Sequence, residues 1–496
     1  MALDAGTTSV RTMLFGRRGE VLAVSQRQLT QHYPGPGRVE HDAMEIWELC
    51  RETMSECMSR PGISSDGCVA VGITNQRETT VVWDRRTGEP VCNAIVWQDR
   101  RTAPMCEELR RRGAEAEFRD RTGLQIDAYF SGTKIRWVLD NVPGAREAAE
   151  NGDLLFGTVE TWIIWNLTDG RVHATDCTNA SRTMVFNIHD LDWDPVLLDI
   201  LGIMRSMMPE VRPSSGVFGR TDPVVCGVDA PIAGAIGDQQ AALFGQACLG
   251  KGDVKITFGT GGFLLMNIGD VPRISSNGLL TTVAWDAGSG SRYAVEGSIY
   301  IAGAAVQWLR DELQIVVESS QTEMMARSVD DTAGCYIVPA FVGLGAPYWD
   351  QNARGIITGL TRGTNRCHIA RAALESIAFQ ANDVIRAMEA DSGVEIATVR
   401  VDGGASANGF LCQFLADITG LDVQRPRCIE STALGAAYMA GLAVGFWSSE
   451  EDVASNWALD EVFRPSMSID ERMEHLRGWS HAVRCARIWS ETGDAE

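Results

Sequence analysis

The sequence predicts an α/β protein of at least two similar lobes, and three observations carry that expectation. An apolar run ending in a turn of small residues occurs in both halves: Met1-Ala2-Leu3 before Asp4-Ala5-Gly6-Thr7-Thr8-Ser9, Val254–Phe258 before Gly259-Thr260-Gly261-Gly262, and Val399-Arg400-Val401 before Asp402-Gly403-Gly404-Ala405. Ile369, Ala373, Ile377, Ala381 and Ile385 recur every four positions and give a helix one apolar face. A chain of 496 residues is also too long for one ordinary core. Strand, small-residue turn and helix are therefore expected to recur in both halves, without a strict sequence period.

Taken in order, the elements begin with a difficulty. Only three residues precede the first turn, whereas a strand averages about 5–6. Either the first strand is very short or the true start lies upstream. Cys68-Val69-Ala70-Val71-Gly72-Ile73-Thr74 and residues 79–83 read as strands bounded by glycine or charged turns. Residues 137–140 and 159–167 carry large apolar side chains at helical spacing. Gly245, Gly250 and Gly252 then interrupt the pattern. The boundary is placed there, giving domains 1–247, with the polyol site and the first phosphate loop, and 248–496, with the nucleotide site.

Composition narrows the function classes. The net charge of −21 repels phosphate backbones, so nucleic acid is not an expected partner. An anionic substrate must then be met by local amides, a few arginines and a metal ion. The 13 cysteines are odd in number, lack Cys-x-x-Cys spacing and suit a reducing compartment. No apolar stretch reaches about 18 residues, so no membrane span is expected, and a cytoplasmic location is the default.

Glycine-rich turns bring backbone amides close to an anion, and threonine and serine hydroxyls add donors. One such turn is weak evidence; three, each after a strand, favour a phosphate clamp. The chain has neither a Gly-x4-Gly-Lys-[Ser/Thr] loop nor a Gly-x-Gly-x-x-Gly fingerprint. Asp4 suits two roles, capping its turn or standing in the outer shell of Mg²⁺. Asp238, between glycines and an alanine-rich helix start, has the chemistry of an N-cap and equally of a base facing a cleft; its place near the lobe boundary favours the base. Arg77 and Glu78 follow Thr74-Asn75-Gln76, a fork of donors and acceptors for vicinal hydroxyls. Trp97, Tyr129 and Phe263 taken singly are core aromatics, though such rings also pack on the C–H faces of a polyol.

These residues fall into larger motifs. Tyr129-Phe130-Ser131-Gly132-Thr133-Lys134-Ile135-Arg136-Trp137, and Gly355-Ile356-Ile357-Thr358-Gly359-Leu360 followed by residues 368–375, resemble the two signatures of the FGGY family of carbohydrate kinases. Asn75-Gln76-Arg77-Glu78-Thr79-Thr80, Trp97-Gln98, Gly237-Asp238-Gln239-Gln240-Ala241-Ala242-Leu243-Phe244, Pro347-Tyr348-Trp349-Asp350 and Val401-Asp402-Gly403-Gly404-Ala405 are similar to its glycerol-phosphorylating members. The resemblance spans essentially the whole chain. It implies two ribonuclease-H-like (actin-like ATPase) domains with ATP and polyol in the cleft between them, and sn-glycerol 3-phosphate as product. It places glycerol against Arg77, Glu78, Tyr129, Asp238 and Gln239, with Trp97 and Phe263 as walls and Asp238 as base. It places ATP against Thr7, Thr8, Ser9, Arg11 and Thr260, with Gly303, Gln307, Gly404 and Asn408 around the nucleoside. Mg²⁺ would lie near Asp4 and Asp238, bound through water, and a homodimer or homotetramer is expected.

Some positions depart from the family pattern. Ala5 replaces a common glutamine, the strand before Asp4 is short, and Gly262 stands where some members carry cysteine. Residues 218–231 lack the Gly-Gly-Lys-Gly-Gly-Thr-Arg loop that binds fructose 1,6-bisphosphate in some bacterial members, so that inhibitor is not expected. Two rival functions remain open from the sequence: a kinase for another small polyol or ketose, and an actin-like ATPase switch whose turnover needs no polyol.

Overall fold

The computed structural model describes residues 1–64, 67–396 and 398–491. The first lobe is a mixed sheet of β1 (Ala2–Ala5), β2 (Ser9–Phe15), β3 (Val21–Gln28), β4 (Val71–Asn75), β5 (Ser215–Arg220) and β6 (Pro231–Gly237), in the order β5-β6-β4-β1-β2-β3. The second sheet holds β7 (Val254–Phe258), β8 (Gly262–Gly269), β9 (Leu280–Asp286), β10 (Ser291–Ile299), β11 (Thr398–Asp402), β12 (Asp422–Pro426) and β13 (Leu459–Phe463), in the order β9-β10-β8-β7-β11-β12-β13.

Counted outward from β1 and from β7, the two sheets share six strand positions with the same directions, and the second adds β9 at the edge beyond β10. Two antiparallel neighbours lie on one side, β2 and β3 or β8 and β10. Two parallel neighbours lie on the other, β4 and β6 or β11 and β12. An antiparallel strand then closes the edge, β5 or β13. The repeat is one of strand position and direction, not of connectivity, and leaves no period in the sequence.

β1 is four residues long, yet its central position supports it. It pairs with β2 on one edge and β4 on the other, and all four of its side chains are buried. Strands covered on both faces read as unbroken apolar runs, as this one does except at Asp4.

The helices expected near 137–140 and over 159–167 form as Ser131–Asn141 and Val159–Leu167. The four-residue spacing from Ile369 lies within the helix Arg366–Ser392. That helix starts with a capping box between Asn365 and His368, which satisfies two orphan amides. The strand expected over 79–83 forms at Val81–Asp84.

The expected strand–turn–helix pattern needs correcting at two of its three turns. Gly6–Ser9 and Gly259–Gly262 each join antiparallel strands, closed by Gly6 N–H to Ser9 O at 3.0 Å and Gly259 N–H to Gly261 O at 2.9 Å. Only the Gly403 turn leads to helix, a 3₁₀ turn at Gly404–Ala407 and then Gly409–Thr419. The segments after the first two turns are strands, and their side chains alternate or pack on both faces of a sheet, which suits period two.

The lobes meet where the helix Asp238–Gly245 crosses the helix Ser431–Ala443 with almost no side chain between them. A Cβ on Gly435 would stand 1.9 Å from Ala241 O, and one on Gly245 would stand 2.0 Å from Ser431 O. Backbone cannot yield as a flexible side chain would. Gly435→Ala is therefore expected to cost about 1–3 kcal/mol, the usual range for overpacking, read as a lower urea midpoint with an unchanged slope. A midpoint equal to that of the unsubstituted chain would mean that the helices separate freely.

Candidate active site

β1, β4, β6, β7 and β11 all end at the groove between the lobes, and each delivers polar groups there. β4 runs into Arg77 and Glu78, and β6 into Gly237 and Asp238. Asp238 is the first residue of its helix rather than the cap, which is Gly237. Its carboxylate accepts from the Gln239 N–H at 2.7 Å, and the side chain remains 29% exposed to the groove.

Arg77 organises the cluster. Its Nε lies 3.1 Å from Asp238, and its two terminal nitrogens lie 2.5 and 3.0 Å from the Glu296 carboxylate. Arg182 bonds Glu78 at 2.7 Å and Glu296 at 3.1 Å and lies over the Tyr129 and Phe130 rings. Lys255 donates to Gln239 Oε1 at 2.5 Å and to Thr257 at 2.9 Å. Three cations thus face four carboxylates (Glu78, Asp238, Glu296 and Asp402), nearly all of them buried. Such charges are tolerable out of water only because they neutralise and hydrogen-bond one another.

The environment sets their acidities. Burial raises the pKa of Asp238, against the opposing pull of Arg77 and Lys255. Burial would raise Glu296 as well, but Arg182 and Arg77 outweigh it and hold that carboxyl down at about 2. Burial lowers Lys255 to about 8, with Asp402, Asp238 and Glu296 opposing.

Glu78 sits at φ 63°, a left-handed conformation costly for this residue type. Its carbonyl is held there by Ser131 Oγ at 3.0 Å, Thr80 Oγ1 at 3.3 Å and Lys134 Nζ at 3.4 Å. The helix Ser131–Asn141 thus fixes the direction of the Glu78 side chain. Trp97 packs edge-on against Tyr129 at 5.5 Å and Phe263 at 6.5 Å, and its Nε1 donates to Thr7 Oγ1 at 3.0 Å. The aromatic wall and the first small-residue turn are therefore joined.

On the opposite side, the Gly259–Gly262 turn is bound to the start of the helix Gly303–Asp311. Thr260 O accepts from Ala302 and Ala304, and Gly259 O accepts from Gly303 N at 3.0 Å. Gln307 is exposed on that helix, Gly404 has open space where a Cβ would stand, and Asn408 caps the helix Gly409–Thr419. Thr8 and Thr260, one at the tip of each hairpin turn, are exposed, and Ser9 Oγ accepts from Gln26.

Arg11, expected at the nucleotide, is engaged by Asp4 and Glu430, both at 2.7 Å. Asp4 thus does not cap its turn, and burial raises its pKa against the pull of Arg11. Among the described residues no three His, Cys, Asp or Glu side chains form a ready metal cage. The negative charge of Asp4 adds to burial in raising the Asp238 carboxyl, so the two carboxylates stand within electrostatic reach of one another. That pair fits Mg²⁺, which keeps several waters and takes one or two carboxylates together with substrate phosphates.

Sequence reasoning did not single out Arg182, Glu296 or Lys255. Two carried a signal: Lys255 is the lone charge of an apolar strand, and Glu296 stands in the fully buried half of one whose other charge, Arg292, lies near its start, where an unpaired charge at 296 would be prohibitive. Arg182, in the polar run Thr178–Thr183, carried none.

Two sheets that share six strand positions, with polar strand ends and an aromatic wall meeting at one groove, suit an enzyme that holds a small polar substrate between its lobes. Residues 1–245 match the N-terminal domain, and residues 254–444 the C-terminal domain, of the FGGY family of carbohydrate kinases. The chain belongs to that family. It is 57% identical to a glycerol kinase of Caldanaerobacter subterraneus over 99% of both chains. It is 58% identical to a glycerol kinase of Agathobacter rectalis, again over 99% of each. Among solved structures it is similar to Plasmodium falciparum glycerol kinase with ADP, with TM-score 0.92, 35% identity and coverage of 98% of this chain and 97% of that one.

Proposed function

We propose that this chain transfers the terminal phosphoryl group of ATP to glycerol, forming sn-glycerol 3-phosphate, with Asp238 as the base. One observation carries the mechanism: a part-exposed carboxylate, held by Arg77 at 3.1 Å, at a groove walled by Trp97, Tyr129 and Phe263. The full-length similarity to glycerol kinases supports the substrate.

In this mechanism Arg77, Glu78 and Tyr129 bind the hydroxyls of the triol, and the rings cover its C–H faces. Gln239, itself held by Lys255, borders the same space. Asp238 accepts the proton of the attacking hydroxyl. The turns at Gly6–Ser9 and Gly259–Gly262 offer amides and hydroxyls to the phosphates, and Gly303, Gln307, Gly404 and Asn408 border the nucleoside. Arg11, part-exposed while bonded to Asp4 and Glu430, contacts the nucleotide beside Thr7, Thr8 and Ser9. Asp4 and Asp238 would hold Mg²⁺ through water, and the ion would supply positive charge against the polyphosphate. Closure of the groove excludes water that would otherwise hydrolyse ATP. The domains divide at 247/248. All thirteen cysteines are free, which suits a reducing compartment, and we place the enzyme in the cytoplasm. Among the described residues no helix is long and apolar enough to cross a membrane.

The test is ADP release from pure protein with Mg²⁺ and ATP, without polyol and with glycerol, erythritol or a pentulose. Release should depend on polyol and be fastest with glycerol. Turnover indifferent to polyol would favour the ATPase switch, and faster turnover of a pentulose would move the chain to another kinase specificity.

A further inference from the structure

A row of hydrogen bonds joins the first phosphate turn to the segment that carries Arg77. Gln31 Nε2 donates to Thr7 O at 2.8 Å and to Leu29 O at 3.1 Å. Both its amide hydrogens are thereby committed to carbonyl oxygens, so its Oε1, 2.9 Å from His41 Nε2, acts as acceptor. His41 must then carry its proton on Nε2, which leaves Nδ1 to accept from Gln76 Nε2 at 3.1 Å. Gln76 immediately precedes Arg77, and its own N–H bonds Ala5 O at 2.8 Å.

His41 is fully buried, and burial depresses its pKa to about 4, with His32 adding to the effect, so it is the neutral tautomer that the polarity of the row requires. Gln76 Oε1 is buried and has no partner among the described residues. The amide of Gln76 is thus aligned for His41 at the cost of its own oxygen, an arrangement that folding alone does not reward.

The effect at the far end of the row follows from peptide planarity. In a trans peptide the C=O and the next N–H point in opposite directions. Fixing Thr7 O against Gln31 therefore turns the Thr8 N–H away from the packed side of the hairpin, and Thr8 is exposed. Leu29 N–H holds Thr8 O at 2.9 Å, which secures the next peptide as well.

We propose that His41 is a positioning residue for phosphoryl transfer, which through Gln31 keeps the Thr7–Thr8 peptide turned so that the Thr8 N–H meets the incoming phosphates. The assignment rests on the proposed function, because it needs a phosphate at this turn. Amides aimed in advance at developing charge act without reorganising, and misaiming one removes that benefit from the transition state more than from ground-state binding.

Steady-state kinetics of the full chain with ATP and glycerol test it, using His41→Leu, Gln31→Leu and His41→Gln. Gln31 is only half-buried, so Gln31→Leu gives a folded protein even where His41→Leu does not. Both leucine variants should lower kcat about tenfold or more while KM for glycerol stays within about twofold, since they remove an interaction felt in the transition state. His41→Gln keeps a donor for Gln31 Oε1 and should recover most of that loss. A Gln31→Leu variant with unchanged kcat overturns the assignment, as does a loss appearing only in KM for glycerol. Wild-type protein that leaves glycerol unphosphorylated overturns the proposed function itself. Active wild type with indifferent variants overturns only the role of His41.

Discussion

Asp238→Asn is expected to lower kcat by roughly 10²–10⁴, the usual contribution of a positioned base, while ATP affinity measured by titration stays within about twofold. Asparagine keeps the shape of the side chain, and its oxygen can still accept from the Gln239 amide, which bonds the aspartate at 2.7 Å. What it loses is the capacity to take a proton. Little instability is expected, because the side chain is part-exposed and the variant keeps an acceptor for the Gln239 amide. The pH profile supplies a second readout. Burial raises the Asp238 pKa above the ordinary 3.8, so the acidic limb of kcat/KM should lie above that value and be absent from the asparagine variant's residual activity. Turnover above about a tenth of wild type would show that the hydroxyl loses its proton elsewhere, since a single proton-transfer group is worth at least tenfold more than that.

Much of this site was legible in the sequence because its parts lie at strand ends beside glycine, where composition changes abruptly. Asp238 follows a β-strand directly, Arg77 and Glu78 come just after Gln76 at the end of another, and the small-residue turns mark where the backbone comes close to something. The repeated lobe was visible only as a recurrence of strands and turns. Its actual content, two antiparallel and two parallel neighbours around β1 and β7, is a matter of pairing between segments far apart in the chain. The hairpin form of the first two turns was missed for the same reason. A glycine turn says that the chain reverses, and only the pairing partner says whether a strand or a helix follows. Arg182 lies more than a hundred residues from Glu78 and from Glu296, so no local pattern connects them. Gln31 and His41 look like ordinary polar residues of a surface segment until the fold places them between Thr7 and Gln76.

Glu296→Gln should be the most destabilising conservative change in the groove. The glutamate is fully buried and bridges two guanidinium groups, Arg77 and Arg182. Glutamine keeps the volume but removes the charge that made both arginines tolerable, and breaking a buried pair from one side typically costs about 3–5 kcal/mol. Urea unfolding at neutral pH would read this as a lower midpoint, and glycerol turnover should fall with it because Arg77 is no longer fixed. The pH dependence gives an independent check. The folded-state pKa of about 2 lies below the ordinary glutamate value of 4.5, so this group stabilises the fold fully above 4.5 and loses that contribution as pH falls toward 2. The variant lacks this term and should lose stability less steeply than wild type between those two values. Combining Glu296→Leu with Arg182→Met removes one charge of each sign, and should recover part of the stability without restoring activity. A double variant no more stable than Glu296→Leu alone would mean that the cost comes from lost packing around Glu296 rather than from an unpaired cation.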